Sequence, residues 1–417
     1  MLNISILTIG DEICIGQITN TNVVHISAEL TRIGANVLTH STIGDEKNIM
    51  LSEIDRLLKS SDVLILTGGL GPTHDDITKP VLCEYFDDQL IYREQTLENL
   101  RKRYSKLNIE MTDRNMRQAQ VPSKCISLEN SAGAAPGIMF EKDGSYLFSV
   151  PGVPGEMRAI MKDHIVPFVK NMIAERNENL VLYKQIMTYG IFESSLADMI
   201  GDIDKLFDKG DSLAFLHSFR GVRLRIGVHG ESRRDAETKL AVLEQKIQDK
   251  VGEYIYGSGE DSIPSAIGKL LTERKQTLAV AESCTAGMLG KEITSVSGSS
   301  AYFSGGVLVY SNEIKEKILD VKHDTLVKYG AVSEQTACEL AANVRSKFNA
   351  DYSLSITGVA GPGGGTEDKP VGTVWIGYSD KNETFAKKYF FGGNREINRE
   401  RSVANALALL YKKLRGK

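Results

Sequence analysis

Short apolar runs alternate with amphipathic stretches over the first part of the chain. The apolar runs are predicted as strands at 4–9, 36–43 and 63–67, and the stretches between them as helices at 19–33 and 47–58. Strands that are separated by helices in this way predict βαβ units and a parallel sheet that is covered on both faces. A hairpin is predicted at 138–150, and further helices at 75–86, 94–106 and 154–173.

Two polar segments, 174–180 and 257–262, divide the rest of the chain. Between them the pattern predicts the order strand, helix, hairpin, helix, strand, with the first helix at 193–207 and the hairpin turning near Arg220, and this order is typical of a small α+β domain. After the second segment, helices and strands alternate again, with one helix predicted at 284–296, and the chain ends with a strand pair and a helix at 395–414. The fold class is therefore α/β, and the three domains are predicted at 1–173, 174–257 and 258–417.

Composition narrows the classes of function. Of the 417 residues, 41% are hydrophobic and 25% are charged, which is typical of a globular protein with several cores. The formal net charge of −4 argues against a dedicated nucleic-acid binder, which normally carries a basic stripe. No run of eighteen apolar residues predicts a membrane span, and the N-terminus lacks the basic region of a secretion signal. The five cysteines form no CxxC pair, so we expect a reduced cytoplasmic protein without disulfides or structural zinc.

The 38 glycines are clustered, and the first cluster follows the third apolar strand. Gly68, Gly69 and Gly71 lie between that strand and the next helix, where glycine lets backbone N–H groups approach an anion. Asp75 and Asp76 follow at the helix start, where they either cap the helix or hold a divalent cation that bridges phosphates. A tight turn with a capping aspartate is the simpler interpretation of this segment taken alone.

Other polar residues follow the first two strands. Asp11 and Asn22 come after the first strand, and Asp45 comes after the second. In a parallel sheet these strand ends share one edge with the first glycine cluster, and ligands bind at that edge. Acidic side chains from three neighbouring strand ends therefore predict a site for a metal ion and a phosphate.

A second candidate site lies in the last domain. Ser283, Thr285 and Gly287 follow a predicted strand, where backbone amides and the dipole of the next helix stabilise an oxyanion or bind phosphate. A helix N-cap is again the simpler interpretation. Lys315 offers a base, because a lysine with a lowered pKa can activate a serine nucleophile. Cys284 is an alternative nucleophile, but it has no histidine partner in this region.

A glycine-rich loop at 355–365 follows another apolar strand. Its glycines, among them Gly358 and Gly361, permit a close approach of the backbone to a ligand. We expect a binding loop rather than a linker, because apolar strands lie on both sides of it. Arg395 and Arg399 are one turn apart at the start of the last helix, where they either grip a phosphate or are exposed without a ligand.

Five ordered motifs over 262–417 resemble one known domain: AESCTAG, YFSGGVLVYSNEIK, GAVSEQTA, SITGVAGPGGG and KPVGTVW. They are similar to the nicotinamide mononucleotide deamidase domain of the competence/damage-inducible protein A (CinA) family. The resemblance implies hydrolysis of nicotinamide mononucleotide to nicotinate mononucleotide and ammonia without a cofactor, with Ser283 as nucleophile and Lys315 as base. The other residues implied for this site are Tyr310, Glu282 and Thr357 as supporting groups and Arg395 as the phosphate contact. The chain has Ala286 where many members have glycine.

Residues 1–170 resemble the molybdopterin-binding-type domain at the front of the same family, through GDEICIGQITNTN, TGGLGPTHDDIT and SVPGVPGEM. The resemblance implies a doubly wound sheet and a metal-dependent ADP-ribose pyrophosphatase activity with Mg²⁺, Mn²⁺ or Co²⁺. The family often has Asp-Thr-Asn where this chain has Asn20-Thr21-Asn22, which removes one carboxylate. Lys79, one turn into the following helix, either faces a phosphate or is solvated, and a solvated lysine is the simpler interpretation.

Residues 181–256 have the element order of a KH-like fold, as the middle domain of the family does. A KH domain that binds nucleic acid needs a GxxG loop between its helices, and we find none here, so we expect no nucleic-acid partner. The expectation is a cytoplasmic homodimer that hydrolyses nicotinamide mononucleotide and ADP-ribose in pyridine-nucleotide salvage, without a membrane partner. Two alternatives stay open: a front domain that binds a pterin or a nucleotide without hydrolysis, and a non-catalytic accessory factor in DNA uptake or damage response.

Overall fold

A computed structural model describes residues 1–106, 108–176, 180–218 and 221–416. Contacts divide the chain into two units, Met1–Tyr183 with Gly227–Val242 and Lys184–Ile226 with Leu243–Lys417. The predicted turn at Arg220 and residues 177–179 of the first polar segment lie outside the described residues. Within the described ranges, no helix has the length and apolar character needed to cross a bilayer.

The front segment alternates strands and helices, as its apolar pattern predicts. Its strands are β1 (Asn3–Ile9), β2 (Asn36–Ile43), β3 (Val63–Thr67), β4 (Leu90–Tyr92), β5 (Gln120–Pro122), β6 (Ile126–Leu128), β7 (Gly137–Lys142) and β8 (Ser145–Val150). Its helices are α1 (Asp11–Cys14), α2 (Thr21–Arg32), α3 (Lys47–Ser60), α4 (Thr78–Tyr85), α5 (Glu94–Lys106), α6 (Asp113–Met116), α7 (Pro154–Ile160) and α8 (Val166–Arg176). A π-helical turn, Met161–Ile165, joins the last two helices.

Six of these strands form one sheet in the order β2-β1-β3-β8-β7-β6. The four strands β2, β1, β3 and β8 are parallel, whereas β7 is antiparallel to both of its neighbours. The sheet is therefore mixed rather than purely parallel, because the hairpin predicted at 138–150 pairs with the same sheet. Ile4 and Ile6 of β1 belong to one apolar cluster and Leu7 and Ile9 to another, which explains the continuous apolar run of this strand.

The middle segment has the predicted α+β order. It consists of β9 (Leu180–Thr188), α9 (Glu193–Ile200), β10 (Ser212–Ser218), β11 (Gly221–Gly230), α10 (Arg233–Val251) and β12 (Ile255–Ser258). Its sheet has the order β10-β11-β9-β12. The helix that the pattern predicts over 193–207 ends at Ile200, because Gly201 follows with a positive φ of 80° that breaks the helix.

The last segment forms a five-stranded sheet in the order β14-β13-β15-β16-β17. Its strands are β13 (Leu278–Glu282), β14 (Phe303–Leu308), β15 (Tyr352–Gly358), β16 (Thr373–Ser379) and β17 (Thr384–Phe390). Its helices are α11 (Ile263–Arg274), α12 (Met288–Thr294), α13 (Asn312–Leu319), α14 (His323–Tyr329), α15 (Glu334–Lys347) and α16 (Arg395–Leu414). The predicted helix at 284–296 begins only at Met288, since residues 283–287 form a turn.

The order of the strands decides which residues of this segment meet. β13 pairs in parallel with β14 and β15, so that Glu282 lies opposite Leu308 on one side and Ile356 on the other. The three strands therefore end at one edge of the sheet. Ser283, Tyr310 and Thr357, which are far apart in sequence, all follow or end a strand at this edge.

Candidate functional site

Ser283 and Lys315 are in direct contact at the end of β13. The backbone N–H of Ser283 donates to Ile356 O at 2.9 Å, which fixes the residue beside β15. The side chain of Lys315 on α13 reaches back so that its Nζ lies 3.3 Å from Ser283 Oγ. Ser283 is 8% exposed and Lys315 only 1% exposed. The predicted nucleophile and base therefore form one buried pair.

The other hydrogen-bond partners of Lys315 determine where the lone pair of its neutral amine points. Nζ also donates to Val309 O at 2.8 Å and to Tyr310 O at 3.0 Å, and none of its three partners is a carboxylate. Burial lowers the pKa of Lys315, because the charged ammonium is poorly solvated there. In the neutral amine, two N–H groups bind the two carbonyls and the lone pair faces Ser283 Oγ. The geometry is that of a base directed at a hydroxyl proton.

The carboxylate of Glu282 binds backbone amides at the start of α12, although the residue directly precedes Ser283. Its carboxylate is buried and accepts the backbone N–H groups of Gly287 at 3.1 Å, Leu289 at 3.0 Å and Gly290 at 2.8 Å. These are the amides at the start of α12 that the sequence predicts for an oxyanion or a phosphate. Because Glu282 accepts them all, they are not available to a ligand.

The turn between β13 and α12 also contains the N–H groups of Cys284, Thr285 and Ala286, and that of Ala286 donates to Ser283 O at 3.2 Å. Those of Cys284 and Thr285 donate to no oxygen within the described residues, and the buried hydroxyl of Thr285 also has no partner. Ala286 has a φ of 48°, in the left-handed region, where a residue with a Cβ is strained and glycine is not. Burial raises the pKa of Cys284 to about 11, which keeps this thiol protonated and favours Ser283 as the nucleophile.

The two predicted phosphate arginines have different partners. Arg395 is exposed; its Nη1 donates to Gly361 O at 2.8 Å and its Nη2 to Tyr310 Oη at 3.3 Å. The Tyr310 side chain is 61% exposed beside it. Arg399 instead is partly buried and donates from Nη2 to Thr285 O at 2.7 Å. Only Arg395 therefore lies where a ligand phosphate can reach it from solvent.

Thr357 and Gly358 contact the neighbouring backbone and support the fold around the site. The Thr357 hydroxyl is buried and donates to Ala331 O at 2.7 Å, so it holds the segment before α15. A Cβ on Gly358 would lie 2.8 Å from Thr373 O, which is too close for a side chain. Glycine is therefore required here for strand pairing, whether or not a ligand approaches the loop.

The first glycine cluster forms a loop after β3 with unused N–H groups. Gly68 and Gly69 have φ values of 119° and 64°, and a Cβ on Gly68 would lie 2.1 Å from Ile9 O. Within the described residues, the N–H groups of Gly69 and Leu70 have no acceptor. Asp76 closes the loop, since its carboxylate accepts Gly71 N at 2.8 Å and also the backbone and hydroxyl of Thr73.

A cleft of about 420 Å³ lies beside this loop. Its carboxylate lining consists of Glu12, Asp45, Asp75, Asp76 and Glu156, and none of its lining residues, all of them described, is lysine or arginine. Neither Glu12 nor Glu156 is among the predicted metal ligands, although Glu12 follows Asp11 and Glu156 lies in the first turn of α7.

Asn22 lines the same cleft and links it to two strand ends. Its Nδ2 donates to Thr67 Oγ1 at 3.0 Å and to Gly152 O at 2.8 Å, whereas its Oδ1 has no partner. The first and third strands thus end at one edge, as predicted, and the segment after β8 joins them there. Asn22 is positioned to hold that edge together and to offer a free acceptor.

Asp11 and Asp45 face each other across the ends of β1 and β2. Asp11 N donates to Asp45 Oδ2 at 3.1 Å, and Asp45 N donates to Asp11 Oδ1 at 3.2 Å. Burial raises the pKa of Asp45, and the negative charges of Asp11, Glu12 and Asp75 add to the effect. Carboxylate oxygens suit a hard divalent cation, so the donor chemistry fits. Yet no three His, Cys, Asp or Glu side chains of the described ranges are grouped closely enough for one ion.

Lys79 contradicts the expectation of a solvated helix lysine. It is 5% exposed, and its Nζ donates to Gln118 O at 2.9 Å. Burial lowers its pKa to about 8, against a weaker opposing effect of Asp76. The side chain turns inward because α4 packs this face against the strand that follows Gln118.

Three family models match the chain in order: the probable molybdopterin binding domain over 5–171, the damage-inducible protein CinA KH domain over 183–257 and the CinA C-terminal domain over 260–414. The chain is 39% identical to a putative competence-damage inducible protein of Halothermothrix orenii, over 98% of each chain. It is 40% identical to a CinA-like protein of Flavobacterium psychrophilum, again over 98% of each.

A solved competence-damaged protein (CinA) superfamily structure from Klebsiella pneumoniae is 31% identical, covers 37% of this chain and 97% of that chain, and has a TM-score of 0.36. The predicted resemblance and the predicted fold class are confirmed by the family models and the full-length relatives. The chain belongs to the CinA family of competence-damage inducible proteins, with a molybdopterin-binding-type front domain, a KH-like middle domain and a CinA C-terminal domain.

Proposed function

We propose that the C-terminal domain hydrolyses the carboxamide of nicotinamide mononucleotide, with Ser283 as nucleophile and Lys315 as base. The observation that carries this proposal is the buried pair itself. Lys315 Nζ lies 3.3 Å from Ser283 Oγ, and it also donates hydrogen bonds to the carbonyls of Val309 and Tyr310. A buried serine–lysine pair without a histidine is suited to acyl transfer from an amide.

The first half-reaction releases ammonia. Neutral Lys315 takes the proton of Ser283 Oγ while Oγ forms a bond to the carboxamide carbon, and the carbonyl electron pair moves onto oxygen. The resulting ammonium of Lys315 then gives its proton to the amide nitrogen. The carbon–nitrogen bond breaks, ammonia leaves, and the nicotinoyl group remains as an ester on Ser283.

The second half-reaction restores the enzyme. Water attacks the ester carbon while Lys315, neutral again, takes a proton from it. The tetrahedral species collapses, the carbon–Oγ bond breaks, and Lys315 returns the proton to Ser283 Oγ. Nicotinate mononucleotide leaves, so that one water is consumed for each ammonia released.

The substrate phosphate is assigned to Arg395 rather than Arg399. Arg395 is exposed next to the glycine-rich loop, whereas Nη2 of Arg399 is bound to Thr285 O. Tyr310 contacts both groups, because its backbone oxygen accepts from Lys315 Nζ and its exposed ring carries the hydroxyl that accepts from Arg395 Nη2. This arrangement favours a mononucleotide over free nicotinamide.

The test is release of ammonia from nicotinamide mononucleotide by the full chain. Ser283→Ala should reduce turnover to background, and Lys315→Met should lower kcat by about 10²- to 10⁴-fold, the usual contribution of a general base. Ser297→Ala, an exposed serine of the same domain, is the matched control and should keep full turnover. Near-normal turnover of Ser283→Ala would contradict the proposal.

For the front domain we propose metal-dependent hydrolysis of the diphosphate of ADP-ribose. The supporting observations are the free N–H groups of Gly69 and Leu70, which can bind a phosphate, and the acidic cleft without a basic side chain. Asp45 and Asp75 line this cleft and would hold a divalent cation together with the substrate phosphates, whereas the predicted ligand Asp11 is not part of the lining. When bound, the cation supplies the positive charge that a diphosphate needs there. Asp76 shapes the loop instead, since its oxygens already accept three donors.

Incubation of the full chain with ADP-ribose and Mg²⁺, Mn²⁺ or Co²⁺ should yield AMP and ribose phosphate. Calorimetric titration of the same metals should show weaker binding to Asp45→Asn than to wild type, whether or not turnover occurs. Tight binding of ADP-ribose or a pterin without product would favour the alternative of a non-hydrolytic binding domain.

A further inference from the structure

The turn from Ser283 to Gly287 is held from two sides by charged residues. On one side the Glu282 carboxylate accepts three N–H groups at 2.8–3.1 Å. On the other side Arg399, from the last helix, donates to Thr285 O at 2.7 Å. The serine of the proposed reaction is therefore the first residue of a turn that is held at Thr285 and at Gly287.

Because Glu282 is buried, the stabilisation of its negative charge depends on its three hydrogen bonds. The side chain is 1% exposed, and no lysine or arginine of the described residues forms an ion pair with it. A buried carboxylate without a cation is costly unless donors satisfy it, and here backbone N–H groups do so. Any displacement of the turn breaks these bonds, so the carboxylate holds the backbone after Ser283 in one conformation.

The same bonds decide which amides are left for a substrate. Glu282 accepts the N–H groups of Gly287, Leu289 and Gly290, while those of Cys284 and Thr285 donate to no oxygen in the described part of the chain. These two amides are consecutive and directly follow the nucleophile. The buried hydroxyl of Thr285 also lacks a partner, so unused hydrogen-bonding capacity is concentrated beside Ser283.

We propose that Glu282 and Arg399 are positioning residues that hold this turn so that the N–H groups of Cys284 and Thr285 bind the oxygen of the reacting carboxamide. This inference rests on the proposed deamidase function. As Ser283 Oγ bonds to the carbon, negative charge develops on that oxygen, and amides fixed in advance stabilise it most. The role of Arg399 is thus to hold Thr285 through its carbonyl, not to bind phosphate.

The experiment compares two variants of the full chain with two controls. Glu282→Gln replaces one accepting oxygen by an NH₂ group, and Arg399→Lys keeps the charge but removes the planar guanidinium group. Glu273→Gln and Arg274→Lys make the same changes at exposed positions of α11. For each protein, kcat and KM for nicotinamide mononucleotide are measured, together with the affinities for pyridine-3-boronic acid and for nicotinate mononucleotide.

The boronic acid forms a tetrahedral covalent adduct with a serine, whereas the product, nicotinate mononucleotide, binds without forming a covalent adduct. In both variants kcat should fall about 10- to 100-fold, as expected when a reacting group is misplaced by about 1 Å, while KM changes less than about threefold. The affinity for the boronic acid should fall in parallel with kcat, and the affinity for the product should stay near that of wild type. Both controls should behave like wild type.

Three outcomes would overturn the inference. If both variants keep the wild-type kcat, the turn needs neither residue, and the proposed function stands without this inference. If kcat and both affinities fall together, the residues serve the fold alone; Arg399→Lys provides this comparison even where Glu282→Gln fails to fold by its thermal midpoint. If the wild-type chain releases no ammonia, the proposed function is wrong and the inference is wrong with it.

Discussion

Among the residues that the structure describes, Lys79 has no ion-pair partner although it is a buried cation. Its replacement by methionine should therefore change how the stability of the front domain depends on pH. Its ammonium has one hydrogen bond, to Gln118 O, and burial lowers its pKa from 10.5 to about 8. Asp76 and Cys125 are the titratable groups that act on it. The Lys79→Met variant keeps the volume of the side chain but carries no charge at any pH.

The direction in which stability changes with pH follows from the number of protons that the folded and the unfolded chain bind. Below about pH 8 the folded and unfolded chains both bind the proton, so folding carries the full cost of burying the ammonium. Between about pH 8 and 10.5 the folded chain loses the proton while the unfolded chain keeps it, and stability rises. The difference between these two pKa values corresponds to about 3 kcal/mol. The variant lacks this gain, so its advantage over wild type should shrink by that amount from pH 7 to pH 10.5.

Scanning calorimetry at the two pH values measures the effect. A change of 1 kcal/mol shifts the Tm of a domain of this size by about 2–4 °C, so the Tm difference between variant and wild type should shrink by roughly 6–12 °C. Lys170→Met, an exposed lysine of the same unit, is the control and should follow wild type at both values. Parallel pH dependence of Lys79→Met and wild type would refute the reasoning, because Lys79 would then titrate near its ordinary pKa.

Three further predictions concern the C-terminal domain. Arg395→Lys should raise KM for nicotinamide mononucleotide about tenfold or more with a smaller change in kcat, because a lysine cannot bind a phosphate bidentately. The kcat/KM of the wild-type chain should rise with pH and level off below pH 10.5, since the neutral form of Lys315 is the active base and burial lowers its pKa. Ala286→Gly should raise the free energy of unfolding by roughly 0.5–1 kcal/mol, because it relieves a left-handed conformation at some entropic cost.

The measurements for these predictions are steady-state ammonia release and denaturation followed through Trp375, the single tryptophan, which lies in the unit that is tested. An Arg395→Lys variant with an unchanged KM would contradict the assignment of the phosphate. A pH profile that levels off only above 10.5 would contradict a lowered pKa of Lys315. A destabilised Ala286→Gly variant would show that residue 286 is not strained.

The local pattern was sufficient for most helices and strands. The predictions of β2 at 36–43, β3 at 63–67 and α16 at 395–414 agree with the structure residue by residue, because apolar spacing reflects which face of each element is buried. The prediction of α12 was wrong at its start by four residues. There the carboxylate of Glu282 binds the amides of a turn, and helical spacing holds no information about such a bond.

The sequence by itself determined the family, the fold class and the residues that carry the proposed chemistry. These depend on short motifs and on periodicity, which neighbouring residues in the chain encode. Only the tertiary structure decided that Lys79 is buried, that Arg395 is exposed while Arg399 holds Thr285, and that Glu282 occupies the start of α12. Burial and the choice of hydrogen-bond partner depend on residues that are distant in sequence, as Arg399 and Thr285 are at 114 positions apart, so they become defined only when the strands assemble.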